Sequence, residues 1–525
     1  MIHRPSARDP GKLLTWPVVI GLSLGASMPL LNTPIPPLTD VPGHIGRFAV
    51  QIAPTGSGVL RYFSFHWSLV LNLAVDLVVQ GLHGWLGLFS TVWLVCAATV
   101  SLTTLGILLI ARATNPRGAS AVPWALLFVF NYPFLWGFLN FTFTLALAML
   151  AFAAWISLEG RATWRTLLSI LAPPILLVGH GVAGLVFVGL VISWQCGEAV
   201  RQAPSLALTR MANRLAPLAP LVASALVTII LWQMVGRHDA GRTVWLPMRK
   251  VEALWMMVRD QNRLLDGATV IACLVVWTLG HLWSARLRPG AAAAITFVIV
   301  LFVATPSLLS GSDRIDTRLA PVIPMLAFAM QDWSSVRPKR RLIVSVAGLT
   351  LLLIRFGITT ASFADYGRRY RSELSALAYI PRGARVINLT HVNCPQVAWR
   401  SERLEHLSAL VTPLRGAWVN SHWSIGGIQL LGVRYVPSPA YASDPSQLVW
   451  PAECVDMRQP VAARDRHTLV EPMKSLPLDR VDMVWLVGER LPTNRRDHRL
   501  RLVWADDISE LYSVSRQLRP EQHEQ

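Results

Sequence analysis

The sequence predicts a mainly α-helical protein, a polytopic transmembrane helix bundle followed by a C-terminal α/β domain. Charged residues make up only 15% of the 525 residues, which is too few to cover the surface of a soluble protein of this length. Several apolar runs approach the roughly 20 residues that a membrane-spanning helix needs. From residue 362 onward the apolar runs shorten to strand length and alternate with helix-like stretches and turns. We therefore expect the bundle over residues 1–361 and the second domain over residues 362–525.

The basic residues indicate a membrane partner. The formal net charge is +18, and most lysines and arginines lie in short connections between apolar runs. This placement is typical of positive-inside topology and of contact with anionic headgroups. Neither zinc-finger spacing nor a glycine-rich phosphate loop is present, so membrane lipids are the expected partners and nucleic acid is not.

About eleven spans are predicted from the lengths of the apolar runs. The first, 13–31, follows a basic N-terminal segment, and no small-residue cleavage site follows it, which favours an uncleaved span over a signal peptide. The run 166–194 contains two adjacent prolines and a Gly-His-Gly turn at residues 179–181, so it is predicted to cross twice. The other predicted spans are 85–110, 121–130, 139–156, 215–234, 268–283, 291–309, 319–330 and 342–361.

The basic connections predict the orientation of the bundle. If residues 68–81 lie along the outer interface, every short basic connection falls on the cytoplasmic side together with the N-terminus. These connections are 112–117, 159–165, 201–214, 286–288 and 337–341. The first loop, 32–86, and the C-terminal domain are then extracytoplasmic. The segment 236–265 is basic and yet lies outside, which a role in phosphate binding would explain.

The stretch that follows the first span carries the best candidates for chemistry. Asp40, His44 and Arg47 lie within eight positions of one another, and a helix that starts after Pro42 places His44 and Arg47 on one face near Asp40. Such a group can handle a proton and an anion together. Asp40 is the candidate general base. The alternative is an interfacial helix that Asp40 caps and from which Arg47 reaches lipid headgroups.

Further polar candidates lie at span ends on the same predicted side. Four cations are candidates for holding an anion such as a lipid phosphate: Arg249, Lys250, Arg314 and Arg318. Asp313 and Asp316 either accept sugar hydroxyls or pair with those cations. His180 is either a phosphate or substrate contact or a turn residue.

Two cysteines lie in the C-terminal domain. Cys394 and Cys454 can pair if that domain lies in an oxidising compartment, and two free thiols are the equal alternative.

In its order of elements the chain resembles the GT-C class of integral-membrane glycosyltransferases, particularly bacterial members. A first span precedes a large loop with an early aspartate, here within TDVPGHIGR at residues 39–47, and about ten further spans and a C-terminal α/β domain follow. The resemblance covers nearly the whole chain. It implies a polyprenyl-phosphate sugar as donor, and it implies that Asp40 is the catalytic base or helps to bind a metal. Many members carry paired acidic residues, whereas Val41 follows Asp40 here, which favours a single base and leaves a divalent metal ion as an open cofactor.

The hypothesis from sequence is a glycosyltransferase of a bacterial inner membrane. It would move a sugar from a lipid-linked donor to an acceptor outside the cytoplasm. The alternatives are a transporter or flippase for a lipid-linked substrate and a non-catalytic membrane scaffold in which Asp40 is a cap. A transporter should show broken helices in symmetric halves, which the sequence does not indicate.

Overall fold

The computed structural model describes residues 14–115, 118–202, 214–236, 241–394, 397–455, 467–492 and 497–515. The chain forms two compact units. The first comprises Met1–Pro36 and Ser68–Ala364, and the second comprises Pro37–Trp67 and Asp365–Gln525. The predicted N-terminal basic segment lies outside the described residues, as do parts of the basic connections 112–117 and 201–214 and four residues of the segment 236–265.

The helices vary greatly in length. In chain order they are α1 Trp16–Gly25, α2 Val41–Gln51, α3 Ala74–Leu86, α4 Leu88–Thr114, α5 Val122–Leu126, α6 Tyr132–Trp136, α7 Leu139–Ser157, α8 Ala162–Gly179, α9 Gly181–Gln202, α10 Ala219–Val235, α11 Pro247–Trp255, α12 Arg263–Leu282, α13 Pro289–Ala304, α14 Ile315–Leu319, α15 Val322–Met330, α16 Pro338–Leu374, α17 Val411–Arg415, α18 Ala452–Val455 and α19 Val470–Lys474. Short 3₁₀ segments are Met28–Leu30, Gly58–Arg61, Ala119–Ala121, Ala216–Leu218, Ser375–Tyr379, Leu407–Leu410 and Pro439–Tyr441.

The strands are short. They are β1 Phe63–Phe65, β2 Leu308–Leu309, β3 Ser312–Asp313, β4 Arg385–His391, β5 Trp418–Val419, β6 Leu431–Val433, β7 Leu448–Val449, β8 Met483–Val487, β9 Leu500–Ala505 and β10 Glu510–Val514.

The first unit has the helices of a multi-pass membrane protein. Among the described residues, seven helices are long and apolar enough to cross a membrane, namely α4, α7, α8, α9, α10 with the turn before it, α12 and α16. Two shorter apolar helices, Trp16–Leu30 and Pro289–Ala304, correspond to the predicted spans 13–31 and 291–309. The predicted turn at His180 is confirmed, because α8 ends at Gly179 and α9 begins at Gly181.

The two remaining predicted spans are broken helices. The run 121–130 and the residues after it form α5 and α6, and the run 319–330 falls on α14 and α15. Proline occupies the first turn of both α5 and α6, and Pro321 precedes α15, so the backbone hydrogen-bond ladder restarts at each of these points. Asn131 begins α6 by accepting a hydrogen bond from the Phe134 N–H at 3.0 Å.

A six-stranded mixed sheet organises the second unit. Five strands follow the order β5-β4-β8-β10-β9, and β7 pairs with the end of β4. β4 is parallel to β5, β7 and β8, whereas β10 is antiparallel to β8 and β9. All five residues of β8 are buried, as the continuous apolar run of a central strand predicts. The predicted class, a helical membrane bundle with a C-terminal α/β domain, is confirmed.

The second unit also contains a segment that was expected to belong to the first. Residues 37–67 were placed in a loop of the bundle, yet α2 packs against Leu407–Leu410 and α17, and β1 pairs antiparallel with β6. The reason is burial of apolar surface, because Val50, Val59 and Phe63 share one core with residues of β4 and β8.

The two cysteines of the second unit form a disulfide. Cys394 follows β4 and Cys454 lies in α18, and their Cα atoms are 5.7 Å apart. Of the two alternatives left open by the sequence, the bonded pair is the one present. The remaining cysteines, Cys96, Cys196 and Cys273, are free.

Candidate functional site

Asp40 stands at the start of α2 but does not cap it. Its backbone carbonyl accepts the His44 N–H at 2.9 Å, as the first residue before a helix should. Its side chain makes no capping hydrogen bond, and the residue is only 8% exposed. The alternative in which the Asp40 side chain caps this helix therefore does not explain why a carboxylate stands here.

The Asp40 carboxylate belongs to an acidic group around one buried imidazole. The Nε2 atom of His406 lies 3.7 Å from Asp40 Oδ1, 3.7 Å from Glu405 Oε1 and 3.9 Å from Asp444 Oδ1. The His406 side chain is 3% exposed, whereas the three carboxylates are each more exposed than the imidazole. We refer to Asp40, Glu405, His406 and Asp444 as the His406 cluster.

The charges of the cluster favour a protonated imidazole. Burial alone would lower the pKa of His406, but Asp444, Glu405 and Asp40 outweigh that effect and raise the pKa above its ordinary value. The nearby His422 behaves in the opposite way, because burial, followed by the charges of His406 and Arg47, lowers the pKa of His422 to about 3.

The other two predicted residues of α2 lie beside this cluster. The ring of Trp423 contacts both His406, at 4.5 Å between centroids, and His44, at 5.1 Å. Arg47 is 2% exposed, and its guanidinium lies 4.4 Å from the centre of the Phe48 ring. Arg47 is thus buried in the second unit, which does not fit the alternative in which it reaches lipid headgroups.

A glycine lets α2 approach its neighbours closely. A Cβ atom at Gly46 would lie 2.4 Å from His422 Cε1 and 2.7 Å from the backbone oxygen of Ala409. The Ala409 oxygen belongs to a 3₁₀ segment and cannot rotate away. The close approach of α2 to this segment therefore requires glycine at position 46.

We expect Gly46→Ala to destabilise the second unit by about 1–3 kcal/mol, the usual cost of overpacking. The measurement is the denaturant midpoint of the purified protein, followed by the tryptophan fluorescence. Gly58→Ala is the matched control, because a Cβ there meets nothing within 4 Å. Equal midpoints for the two variants would show that α2 can move away at no cost.

The remaining predicted residues lie in the first unit, around the break between β3 and α14. A two-residue turn, Ser310-Gly311, joins β2 to β3, and Arg314 follows in the left-handed backbone region with φ 57°. The Arg314 guanidinium lies 4.5 Å from the Trp136 ring centre and donates to the Tyr132 hydroxyl at 3.2 Å. Arg314 thus connects the two broken helices.

Arg318 and His180 are neighbours in the same unit. Arg318 Nη1 lies 3.2 Å from His180 Nε2, and since arginine only donates, this nitrogen of the imidazole accepts. The Arg318 guanidinium also lies 4.1 Å from the Phe138 ring centre. It donates to the Ser312 hydroxyl at 3.3 Å and to the Asp313 carbonyl at 3.2 Å.

Sequence reasoning did not single out Arg259. This residue is 3% exposed, and its guanidinium lies 5.5 Å from the centre of the Tyr132 ring, which Arg314 also approaches, at 6.0 Å. Two cations therefore share one aromatic ring. We refer to Arg259, Arg314, Arg318 and His180 as the arginine cluster.

The other predicted cations pair with the predicted carboxylates. Arg249 makes two hydrogen bonds to Asp313, at 2.7 and 3.3 Å, and Lys250 Nζ lies 3.3 Å from Asp316 Oδ2. Burial alone would raise the pKa of Asp313, but Arg314 and Arg249 outweigh burial and lower the pKa below its usual value. The contacts show the pairing alternative for Arg249 and Lys250, and Arg314 Nε also lies 3.6 Å from Asp313 Oδ2.

The described side chains do not form a metal-binding set. No group of three or more His, Cys, Asp or Glu side chains among them could hold a metal ion. The carboxylates of the His406 cluster surround an imidazole nitrogen instead.

The apolar helices of the first unit and the sheet of the second describe a multi-pass membrane protein with a mixed-sheet domain. No family model and no curated protein matches the sequence. The structure is similar to that of ArnT from Cupriavidus metallidurans bound to undecaprenyl phosphate, with a TM-score of 0.47, 12% identity and coverage of 94% of this chain and 97% of that chain. The same ArnT in the apo state gives a TM-score of 0.49 at 11% identity with the same coverage.

Proposed function

We propose that the protein is a membrane glycosyltransferase that moves a sugar from a polyprenyl phosphate to an acceptor outside the cytoplasm. The observation that carries the proposal is the arginine cluster, which a membrane-spanning unit holds where two broken helices meet. Guanidinium groups bind phosphate through paired hydrogen bonds, and a lipid phosphate is an anion that reaches protein from within the bilayer. A buried carboxylate that does not cap its helix, Asp40, supports the same activity.

In the proposed reaction Asp40 is the general base. The acceptor hydroxyl gives its proton to the Asp40 carboxylate while its oxygen forms a bond to the anomeric carbon of the sugar. The bond between that carbon and the phosphate oxygen breaks, and its electron pair leaves with the lipid phosphate. Within the first unit, the arginine cluster is the proposed binding site for a lipid phosphate.

The test uses isolated membranes that contain the full-length protein and a set of radiolabelled polyprenyl-phosphate sugars. We expect label to leave the polyprenyl phosphate and appear in a new product, separated by chromatography, for at least one sugar, relative to membranes without the protein. Label that stays on the polyprenyl phosphate for every sugar, although the protein is folded and membrane-inserted, would contradict the proposal.

A transporter for a lipid-linked substrate is the second candidate, because the helices at 122–136 and 315–330 are broken. Discontinuous helices are typical of transport sites at mid-membrane. The two candidates differ in what happens to the sugar–phosphate bond. A transporter moves the labelled lipid to the other leaflet with this bond intact, whereas a transferase breaks it.

We also propose that the N-terminus and residues 337–341 are cytoplasmic and that residues 362–525 lie outside the cytoplasm of a bacterium. The basic connections support this orientation, and the Cys394–Cys454 bond fits an oxidising compartment. Reporter fusions after residues 288 and 525 should give cytoplasmic and extracytoplasmic signals respectively. A cytoplasmic signal after residue 525 would overturn the orientation.

A further inference from the structure

A buried histidine faces the proposed base. His406 lies in the connection before the Leu407–Leu410 segment, and its Nε2 atom is 3.7 Å from Asp40 Oδ1. The two side chains come from parts of the chain that are far apart in sequence, and the packing of α2 against Leu407–Leu410 brings them together. The Trp423 ring also packs against the imidazole of His406, with 4.5 Å between the ring centres.

We propose that His406 is the positioning residue of Asp40: its imidazolium orients the Asp40 carboxylate, and this orientation is lost when His406 loses its proton. The proposal rests on the proposed function in one respect, because it takes Asp40 to be the base. The proposal adds His406 to the site as a second residue, and it predicts that activity falls at alkaline pH.

The charged groups around His406 determine whether its imidazole is protonated in the folded protein. The carboxylates facing Nε2 are Asp40 at the start of α2, Glu405 in the adjoining position and Asp444 from the connection before β7, all within 4 Å. Two other basic side chains lie nearby in the same unit: His422, whose pKa the charge of His406 lowers, and Arg47, which also acts on His422. His422 is neutral near pH 7, since its own pKa is about 3. The charges of the three facing carboxylates outweigh the effect of burial on His406.

This arrangement gives the pH dependence a definite sign. The pKa of His406 lies above its ordinary value, so the imidazolium is present at lower pH and is lost as the pH rises through that pKa. The Asp40 carboxylate stays ionised at alkaline pH but loses the charge that orients it, so activity that needs a fixed Asp40 should fall on the alkaline side.

The first experiment needs no substrate. The rate of deuterium exchange at the imidazole C2 position of each histidine, measured by mass spectrometry across a pH series, gives its pKa in the purified full-length protein. We expect the pKa of His406 to lie above the ordinary value of histidine and to fall in Asp40→Asn, because one of the facing charges is removed. His391 is the internal control, since its ion pair, at 3.1 Å, is with Glu489 and should not respond.

The second experiment uses the transfer assay in membranes. In the wild type the rate should fall as the pH rises through the measured pKa of His406. In His406→Gln the rate should be lower by up to about 100-fold and should lack this alkaline fall, because orientation of the base is lost at every pH. His391→Gln is the matched control and should keep the wild-type profile.

The two experiments separate the possible failures. An unchanged pKa of His406 in Asp40→Asn, or an alkaline fall that persists in His406→Gln, would overturn the positioning role. Absence of transfer in every protein, with the pKa of His406 still sensitive to Asp40, would overturn the proposed function and leave the contact between the two side chains established.

Discussion

In Asp40→Asn the rate of sugar transfer should fall by about 10²–10⁴-fold, the usual contribution of a positioned general base. Asparagine keeps the size of the side chain and much of its hydrogen bonding but cannot accept the proton. Stability should fall by only about 1 kcal/mol, because the Asp40 side chain makes no capping hydrogen bond and Glu405 and Asp444 still face His406 in the variant. The measurement is the transfer rate per folded molecule in isolated membranes.

The control for this variant is Asp479→Asn, which makes the same chemical change in the same unit at a side chain that is 96% exposed. It should transfer sugar at the wild-type rate. Well-folded Asp40→Asn with wild-type turnover would remove Asp40 from the reaction, and the transporter and scaffold alternatives would then remain.

The largest expected loss of stability is in Arg355→Met. Arg355 of α16 is 8% exposed and binds Asp266 Oδ1 at 2.8 Å, Thr269 Oγ1 at 3.1 Å and the Val258 carbonyl at 2.7 Å. Removing the guanidinium leaves the Asp266 carboxylate buried without it, and breaking such a pair costs about 3–5 kcal/mol. The measurement is the unfolding midpoint of the protein in detergent.

Two companion variants test the cause of that loss. Arg368→Met removes an exposed arginine of the same helix, whose pair with Asp365 at 3.2 Å should contribute at most about 1 kcal/mol. Arg355→Met combined with Asp266→Leu should recover much of the stability, because no unpaired charge stays buried. If the Arg355 and Arg368 variants lose equal stability, the buried pair is not what holds these helices together.

The helical part of the fold could be predicted from sequence because the bilayer imposes a length on apolar runs. Seven helices of membrane length lie where runs of that length were expected, and the turn at His180 followed from two glycines and a pair of prolines. The broken helices at 122–136 and 315–330 were harder, because composition alone does not show where a hydrogen-bond ladder is interrupted. Their prolines were the available signal.

The candidate site was predicted only in part. Asp40 stood out as a polar residue in an unusual place, whereas Glu405, His406 and Asp444 gave no local signal. The His406 cluster depends on the packing of α2 against a segment more than 300 residues later, and packing between distant segments has no periodic pattern to reveal it. Arg259 was visible only as one of several basic residues in the segment 236–265.

The division of the second unit between two parts of the chain has a consequence for biosynthesis. Residues 37–67 leave the ribosome early, but the rest of their core starts at residue 365, roughly 300 residues and about 15–60 s of translation later. During that interval Val50, Val59 and Phe63 have no core in which to be buried. The early segment therefore cannot be buried in this core until the sheet strands are made. Strands made late in translation thus complete the core in which this early segment is buried.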